Sequence, residues 1–103
     1  MAIDDLIFVS FWQNVVAMNR DTGEIVWLHK LKHGGYVTVM LDGDRLIVSN
    51  SAYMDCLNAF DGRLMWHNPL KGLISGVASM ASVRGRTSHV SALQVSAFSG
   101  ESE

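Results

Sequence analysis

The sequence is short of cysteine, proline and concentrated charge, and these shortages exclude several classes of protein. A single cysteine, Cys56, excludes an intrachain disulfide and a metal site built from four thiolates. A net charge of -2 provides no basic surface for nucleic acid. No apolar run approaches the roughly 20 residues that a membrane-spanning helix requires. We therefore expect neither a nucleic-acid partner nor a membrane partner.

The rest of the composition is that of a small folded domain. Of the 103 residues, 49% are hydrophobic and 17% are charged, which is typical of a globular chain rather than a disordered one. Asp4 and Asp5 stand near the N-terminus, where a secretory signal would carry positive charge. The expected location is the cytoplasm, or the periplasm or extracellular space if the chain is a fragment of an exported protein.

The sequence repeats itself with a period of 39 residues. At this shift Trp27 falls on Trp66 and Gly23 falls on Gly62, and the match extends over about residues 4–80. Further identical pairs are Asp5 with Asp44, Val9 with Val48, Ser10 with Ser49, Asn19 with Asn58, Leu31 with Leu70, and Lys32 with Lys71. A fixed period of this length indicates a tandem duplication of one structural unit.

Each repeat consists of short strand-like runs separated by turns. The runs are apolar and rich in β-branched residues, and no helical periodicity interrupts them. They cover residues 6–11, 14–19, a run ending at Trp27, 36–41, 45–49, 54–58 and a run ending at Trp66. The turn residues Asp42-Gly43-Asp44 predict a hairpin. Four strands in 39 residues predict an all-β protein of two tandem four-stranded propeller blades.

The segment from Ala17 to Trp27 resembles the repeat of the pyrroloquinoline-quinone (PQQ) enzyme family. It contains the alanine, then the turn Thr22-Gly23, then a tryptophan four residues after the glycine. The family usually has aspartate at the position of Asn19. The second copy departs further from the pattern, because a cysteine and an aspartate replace the alanine and the threonine.

The resemblance implies a structural role for the conserved positions of this pattern. In the family, the tryptophan packs between neighbouring blades and ties one blade to the next. The implied blade-docking residues are Ala17, Thr22, Gly23, Trp27, Gly62 and Trp66. Because burying a tryptophan removes up to about 250 Å² from water, we expect Trp27→Ala to cost about 3–5 kcal/mol.

The repeat boundaries divide the chain into three parts. Residues 4–41 are the first blade-like repeat, residues 42–81 are the second, and residues 82–103 are an irregular tail with a polar loop at 83–88 and a possible strand near 93–98. The family register implies that the chain opens on the second strand of one blade and reaches an inner-type strand near residues 76–81. Two blades are too few to close a propeller, which has about four to eight. We expect a head-to-tail homo-oligomer of three or four chains, or a piece of a larger propeller.

Side chains that could carry chemistry are few. His29 and His33 are four residues apart, which on a strand separates them by about 13 Å and excludes one shared metal ion. Asp42 and Asp44 flank a turn and provide fewer ligands than calcium takes. His67 is interpreted as an edge residue of a strand. We expect no catalytic, cofactor-binding or metal-binding residues.

Several functions remain compatible with this pattern. The resemblance implies a vicinal disulfide, a calcium site and an aspartate base in members that use PQQ, and a single cysteine cannot form that disulfide. The preferred interpretation is a non-catalytic PQQ-like repeat module that acts in assembly or in protein or peptide binding. The alternatives are a small-ligand binder, an inactive fragment of a quinoprotein dehydrogenase-like propeller, and a duplicated fragment without a selected role.

Overall fold

The computed structural model describes residues 1–50, 53–73 and 79–86, and within them the chain is all-β. The strands are β1 (Leu6–Phe11), β2 (Asn14–Asn19), β3 (Ile25–Lys30), β4 (Thr38–Asp42), β5 (Arg45–Ser49), β6 (Met54–Asn58), β7 (Leu64–Asn68) and β8 (Gly85–Arg86). One turn of 3-10 helix, Ile3–Asp5, precedes β1. Within these ranges there is no α-helix, and no helix is long and apolar enough to cross a membrane.

The strands form two antiparallel sheets. The first sheet has the order β1-β2-β3, and the second has the order β7-β6-β5-β4-β8. The three consecutive strands β1–β3 correspond to β5–β7 at the repeat spacing, and both sets pair as simple meanders. The register of both sets is interrupted at the same place, between Ala17 and Met18 and between Cys56 and Leu57. The two repeats therefore fold alike, including their irregularity.

The prediction of two four-stranded blades holds for β4–β7 of the second sheet, which the short β8 extends to five strands, and not for the first sheet. The strand β4 pairs with β5, so it belongs to the second sheet, and the first sheet is left with three described strands. The sheets therefore divide between β3 and β4. The predicted inner strand near 76–81 and the possible strand near 93–98 fall largely or wholly outside the described residues, and residues 79–81 have no regular secondary structure.

Two local expectations were wrong. The third strand of each repeat does not end at its tryptophan, because β3 continues to Lys30 and β7 continues to Asn68. Cross-strand pairing that begins at Asn14 of β2 and at Met54 of β6 keeps β3 extended to Lys30 and β7 extended to Asn68. The polar loop predicted at 83–88 contains the short strand β8, whose Gly85 lies opposite Asp42. The neighbouring Arg84 anchors this strand, because its Nε donates to Asp42 Oδ1 at 3.1 Å.

The buried core lies between the two sheets. Its largest cluster consists of Val15, Ala17, Trp27, Leu31, Leu46, Val48, Tyr53 and Leu57. The first four come from the first repeat, and the others come from the second. Because each repeat supplies half of the cluster, neither sheet buries its apolar face alone.

Candidate functional site

Trp27 lies between the sheets and contacts the turn that joins β6 to β7. Its side chain is on β3, and the residue is only 8% exposed. The indole Nε1 donates to the carbonyl oxygen of Ala59 at 2.9 Å. Phe8 packs near the indole in a tilted arrangement, with ring centroids 6.1 Å apart. The tryptophan thus satisfies its buried donor on the opposite sheet while its ring stays in the core.

Gly62 allows the indole to approach this turn. A Cβ atom at this position would lie 2.5 Å from Cε3 of Trp27, which is far inside van der Waals contact. The φ angle of Gly62 is +77°, in the left-handed region that glycine adopts at low cost. Glycine is therefore required here twice, once by the backbone conformation and once by the contact with the ring.

The turn at Asn58–Gly62 has a counterpart of the same geometry at Asn19–Gly23. In both turns the asparagine Oδ1 accepts from the backbone N–H groups two and three residues later. In both, the glycine N–H donates to the asparagine carbonyl at 2.8 Å and the glycine φ is +77°. Ala59, whose carbonyl accepts from Trp27, has Arg20 as its repeat equivalent. The backbone N–H of Ala59 donates to the carbonyl of Asp44, and that of Arg20 donates to the carbonyl of Asp5, both at 2.9 Å. The repeated sequence thus encodes the same turn twice.

The two turns differ in what covers them. No atom of the described residues lies within 4 Å of the position that a Cβ atom would take at Gly23, whereas the indole of Trp27 covers Gly62. Trp66 is the repeat equivalent of Trp27, and it is 46% exposed. Its indole N–H has no acceptor among the residues that the structure describes. Trp27 is therefore in contact with the Asn58–Gly62 turn, whereas no other described residue covers Trp66 or the Asn19–Gly23 turn in the same way.

A second polar arrangement lies on the outer strands of the second sheet. Asp55 on β6 and His67 on β7 are direct cross-strand partners. The Nδ1 atom of His67 and Oδ1 of Asp55 are 2.5 Å apart, and the aspartate side chain is only 6% exposed. The pair replaces the apolar cross-strand pair Val16 and Leu28 of the first repeat. A buried carboxylate requires such a partner, so the histidine and the aspartate form one unit.

Aromatic and polar contacts fix the surroundings of this pair. The ring centroid of Tyr53 is 4.7 Å from that of His67 and 5.8 Å from that of His33. The Tyr53 hydroxyl accepts from the backbone N–H of Lys32 at 2.9 Å. A cleft of about 220 Å³ opens beside the pair, between the outer strands of the two sheets; its lining residues are His29, Lys30, Leu31, Lys32, Asp55, Leu64 and His67.

Cys56 lies in the interior of β6, opposite Trp66. The thiol is free, and burial raises its pKa above the ordinary value, partly offset by the positive charge of Arg45. A neutral buried thiol is a poor nucleophile, because the thiolate is the reactive form. The cysteine occupies the position of Ala17 in the first repeat, and it acts there as a small apolar residue.

The structure brings some of the residues singled out from the sequence together and separates others. Ala17 lies opposite Trp27 in the β2–β3 register, and both are buried. Thr22 is exposed, and its hydroxyl accepts from the N–H of Glu24 at 3.2 Å within the turn. The described residues contain no group of three or more His, Cys, Asp or Glu side chains that could hold a metal ion.

The Asp55–His67 pair was missed by sequence reasoning, although a signal was present. At the repeat spacing, Asp55 falls on Val16 and His67 falls on Leu28, so two apolar positions become polar together. Because these positions are cross-strand neighbours, a paired replacement indicates a compensated substitution.

A comparison with protein families matches the sequence to a family model. The model described as "Outer membrane protein assembly factor BamB", a PQQ-repeat family, matches residues 12–102. No curated protein matches the chain. The matched range contains the tryptophan contact, both turns and the Asp55–His67 pair.

Proposed function

From the premise that the chain belongs to the family of the outer membrane protein assembly factor BamB, we propose that it is a non-catalytic propeller-repeat module that binds extended polypeptide. The observation that carries the proposal is the edge strand β1. In the second sheet, β4 pairs along the whole of β5, whereas the equivalent side of β1 has no strand paired with it among the described residues. An unpaired strand edge is a template for strand addition.

The surroundings of β1 provide room for an added strand. A cleft of about 450 Å³ lies at the start of β1, and its lining residues are Ile3, Asp4, Leu6, Leu41, Gly43 and Arg84. Ile7 on β1 is 45% exposed and gives an added peptide an apolar contact. A bound strand would receive main-chain hydrogen bonds from β1, and its side chains would lie against this apolar surface.

The family description supports the kind of partner. It names outer membrane protein assembly, and outer-membrane barrels are built from antiparallel β-strands. We propose that the bound segments are strands of this type and that the module works in the periplasm, on the route to the outer membrane. Addition of a strand to β1 would hold such a segment extended and away from other edges.

The test is the binding of a labelled strand peptide to the intact chain. The probe is a synthetic peptide with the sequence of residues 36–44, which contains β4, the strand that pairs with the β1 equivalent in the second sheet. Binding is measured by fluorescence anisotropy. Ile7→Lys places a charge on the β1 edge and should weaken binding at least about tenfold. The control is Ile25→Lys on β3, the opposite edge of the same sheet, which should change binding less than twofold.

Two results would contradict the proposal. One is the absence of binding by the folded wild-type chain at peptide concentrations up to the millimolar range. The other is an equal loss of binding in the Ile7→Lys and Ile25→Lys variants, because this would place the peptide away from β1.

The small-ligand alternative has a specific site, the cleft beside Asp55 and His67. Its volume of about 220 Å³ lies below the roughly 300–1,000 Å³ of ordinary ligand pockets. This comparison favours the polypeptide-binding function. A thermal upshift of the folded chain on addition of a small anion, lost in His67→Leu, would favour the alternative instead.

A further inference from the structure

The turn between β1 and β2 carries a tryptophan in a backbone conformation that large side chains rarely adopt. Trp12 has a φ of +51°, in the left-handed region, where two-residue hairpins usually have glycine, asparagine or aspartate. The residue is 67% exposed, so burial of the indole does not offset this strain. We propose that Trp12 and the adjacent Phe11 form an aromatic platform, which binds an aromatic side chain of the extended polypeptide that adds to β1.

The loop that follows β3 forms a fixed floor under the indole. A Cβ atom at Gly34 would overlap the ring of Trp12, so the ring lies directly against the backbone of this loop. Side chains from both sheets hold the loop in place. The amide of Gln13 donates to two of its carbonyl groups, each at 3.4 Å, and the amide of Asn50 donates to the carbonyl of His33 at 2.7 Å. The ring is therefore positioned before a ligand arrives, which lowers the entropic cost of binding.

The aromatic residues of this hairpin are not part of the repeat pattern. At the 39-residue spacing, Phe11 and Trp12 fall on Asn50 and Ser51. The repeat therefore does not require aromatic side chains at these positions. Phe11 is 56% exposed, and it places a second open ring beside the first. Two exposed aromatic rings on a strained turn indicate a binding surface, because strain of this kind is retained at sites that hold ligands.

The platform lies where a strand added to β1 would begin. In the second sheet, β4 begins with Thr38 opposite Ser49, whose repeat equivalent is Ser10. A strand added to β1 in this register starts opposite Ser10, and the residue two positions before that start lies beside Trp12. Outer-membrane barrel strands carry aromatic residues at the ends of their apolar band. This inference rests on the proposed function, and it specifies the segments bound as those with an aromatic residue just before the added strand.

The experiment is a double-mutant cycle between the intact chain and the labelled peptide of residues 36–44, followed by fluorescence anisotropy. This peptide carries Tyr36 two residues before the β4 sequence, so its ring should meet Trp12. A second peptide has the substitution Tyr36→Ser. The wild-type chain should bind the tyrosine peptide about three- to tenfold more tightly than the serine peptide, as expected of an aromatic pair. The Trp12→Asn chain should bind the two peptides within about twofold of each other.

Two controls separate loss of the ring from loss of the fold. Asparagine tolerates positive φ, so Trp12→Asn should keep the hairpin and remove only the platform. The melting temperature of this variant should be at or above that of the wild type, because an exposed tryptophan on a strained turn contributes little to stability. Phe60→Ser removes another exposed aromatic side chain, from the turn between β6 and β7. It should leave the preference for the tyrosine peptide unchanged.

The outcomes distinguish this inference from the function proposed for β1. Equal binding of the two peptides by the wild-type chain, in binding that Ile7→Lys weakens, overturns the platform and leaves the β1 edge in place. A preference for tyrosine that persists in Trp12→Asn also overturns the platform. A preference that Trp12→Asn abolishes, in binding that Ile7→Lys does not change, supports the platform and removes strand addition to β1. Absence of binding by both peptides overturns both proposals.

Discussion

Replacing Trp27 by alanine tests the central contact between the two sheets. Only 8% of the residue is exposed, so folding removes about 200–230 Å² of its surface from water. At about 25 cal/mol per Å² this corresponds to about 5–6 kcal/mol. The compactness of the unfolded chain lowers that figure by about 10–40%. We expect Trp27→Ala to reduce the free energy of unfolding by about 4 kcal/mol, within the range of measured tryptophan truncations.

Two further variants divide this loss into its parts. Trp27→Phe keeps a ring in the core but removes the hydrogen bond to Ala59, so it should cost about 1–2 kcal/mol. Trp66→Ala removes the same residue type from the equivalent strand position, which no sheet among the described residues covers, and it should cost less than about 1.5 kcal/mol. The smaller cost follows from the 46% exposure of Trp66 and from the lack of an acceptor for its indole N–H within the described part of the chain.

The assay is urea unfolding followed by far-ultraviolet circular dichroism, at a chain concentration where light scattering shows monomers for every variant compared. This condition prevents self-association from adding to the apparent stability. If Trp27→Ala is too unstable to fold, the comparison of Trp27→Phe with Trp66→Phe replaces it. Equal losses at positions 27 and 66 would refute the reasoning, because they would mean that the sheets are not joined through this contact.

Three other predictions follow from the described residues. Gly62→Ala should cost at least about 1.5 kcal/mol more than Gly23→Ala in denaturant melts, because both share a φ of +77° but only Gly62 lies under an indole; equal costs would contradict this. His67→Ala should lower the free energy of unfolding by about 2–3 kcal/mol, because it leaves Asp55 buried without a partner. The double variant Asp55→Val with His67→Leu should lie within about 1 kcal/mol of wild type. If the losses of the two single variants add up in the double variant, the two residues are not coupled. Cys56 should resist thiol reagents until the chain unfolds. The free energy of unfolding should fall as the pH rises above about 8.5, because the raised pKa of the folded thiol keeps it protonated where the unfolded thiol ionises. Cys56→Ala should remove that part of the pH dependence.

The duplication made much of the local structure readable in advance. Residues 6–11, 14–19, 45–49 and 54–58 were predicted as strands, and β1, β2, β5 and β6 have these bounds. Short apolar runs between turn formers carry this information locally. The PQQ-like repeat family was recognised from the alanine, the Thr-Gly turn and the tryptophan, and the family match over residues 12–102 confirms it.

The assignment of strands to sheets followed from the family register, in which the chain opens on the second strand of one blade, and not from local propensity. β4 follows β3 directly in sequence but pairs with β5, and local propensity is the same for either partner. The Asp55–His67 pair was missed, because each residue taken alone is ordinary on a strand. Only the cross-strand register brings the two side chains within hydrogen-bonding distance.

By itself, the sequence determined the repeat length, the all-β class, and the two turns in which an asparagine caps the backbone and a glycine takes positive φ. These features depend on contacts among residues a few positions apart, so they are encoded in short segments. Only the tertiary structure decided that Trp27 is covered and Trp66 is open, although the two residues have equivalent sequence surroundings. The physical reason is that burial depends on which sheet lies alongside. Trp27 faces the second repeat of its own chain, and no described residue provides the same neighbour for Trp66.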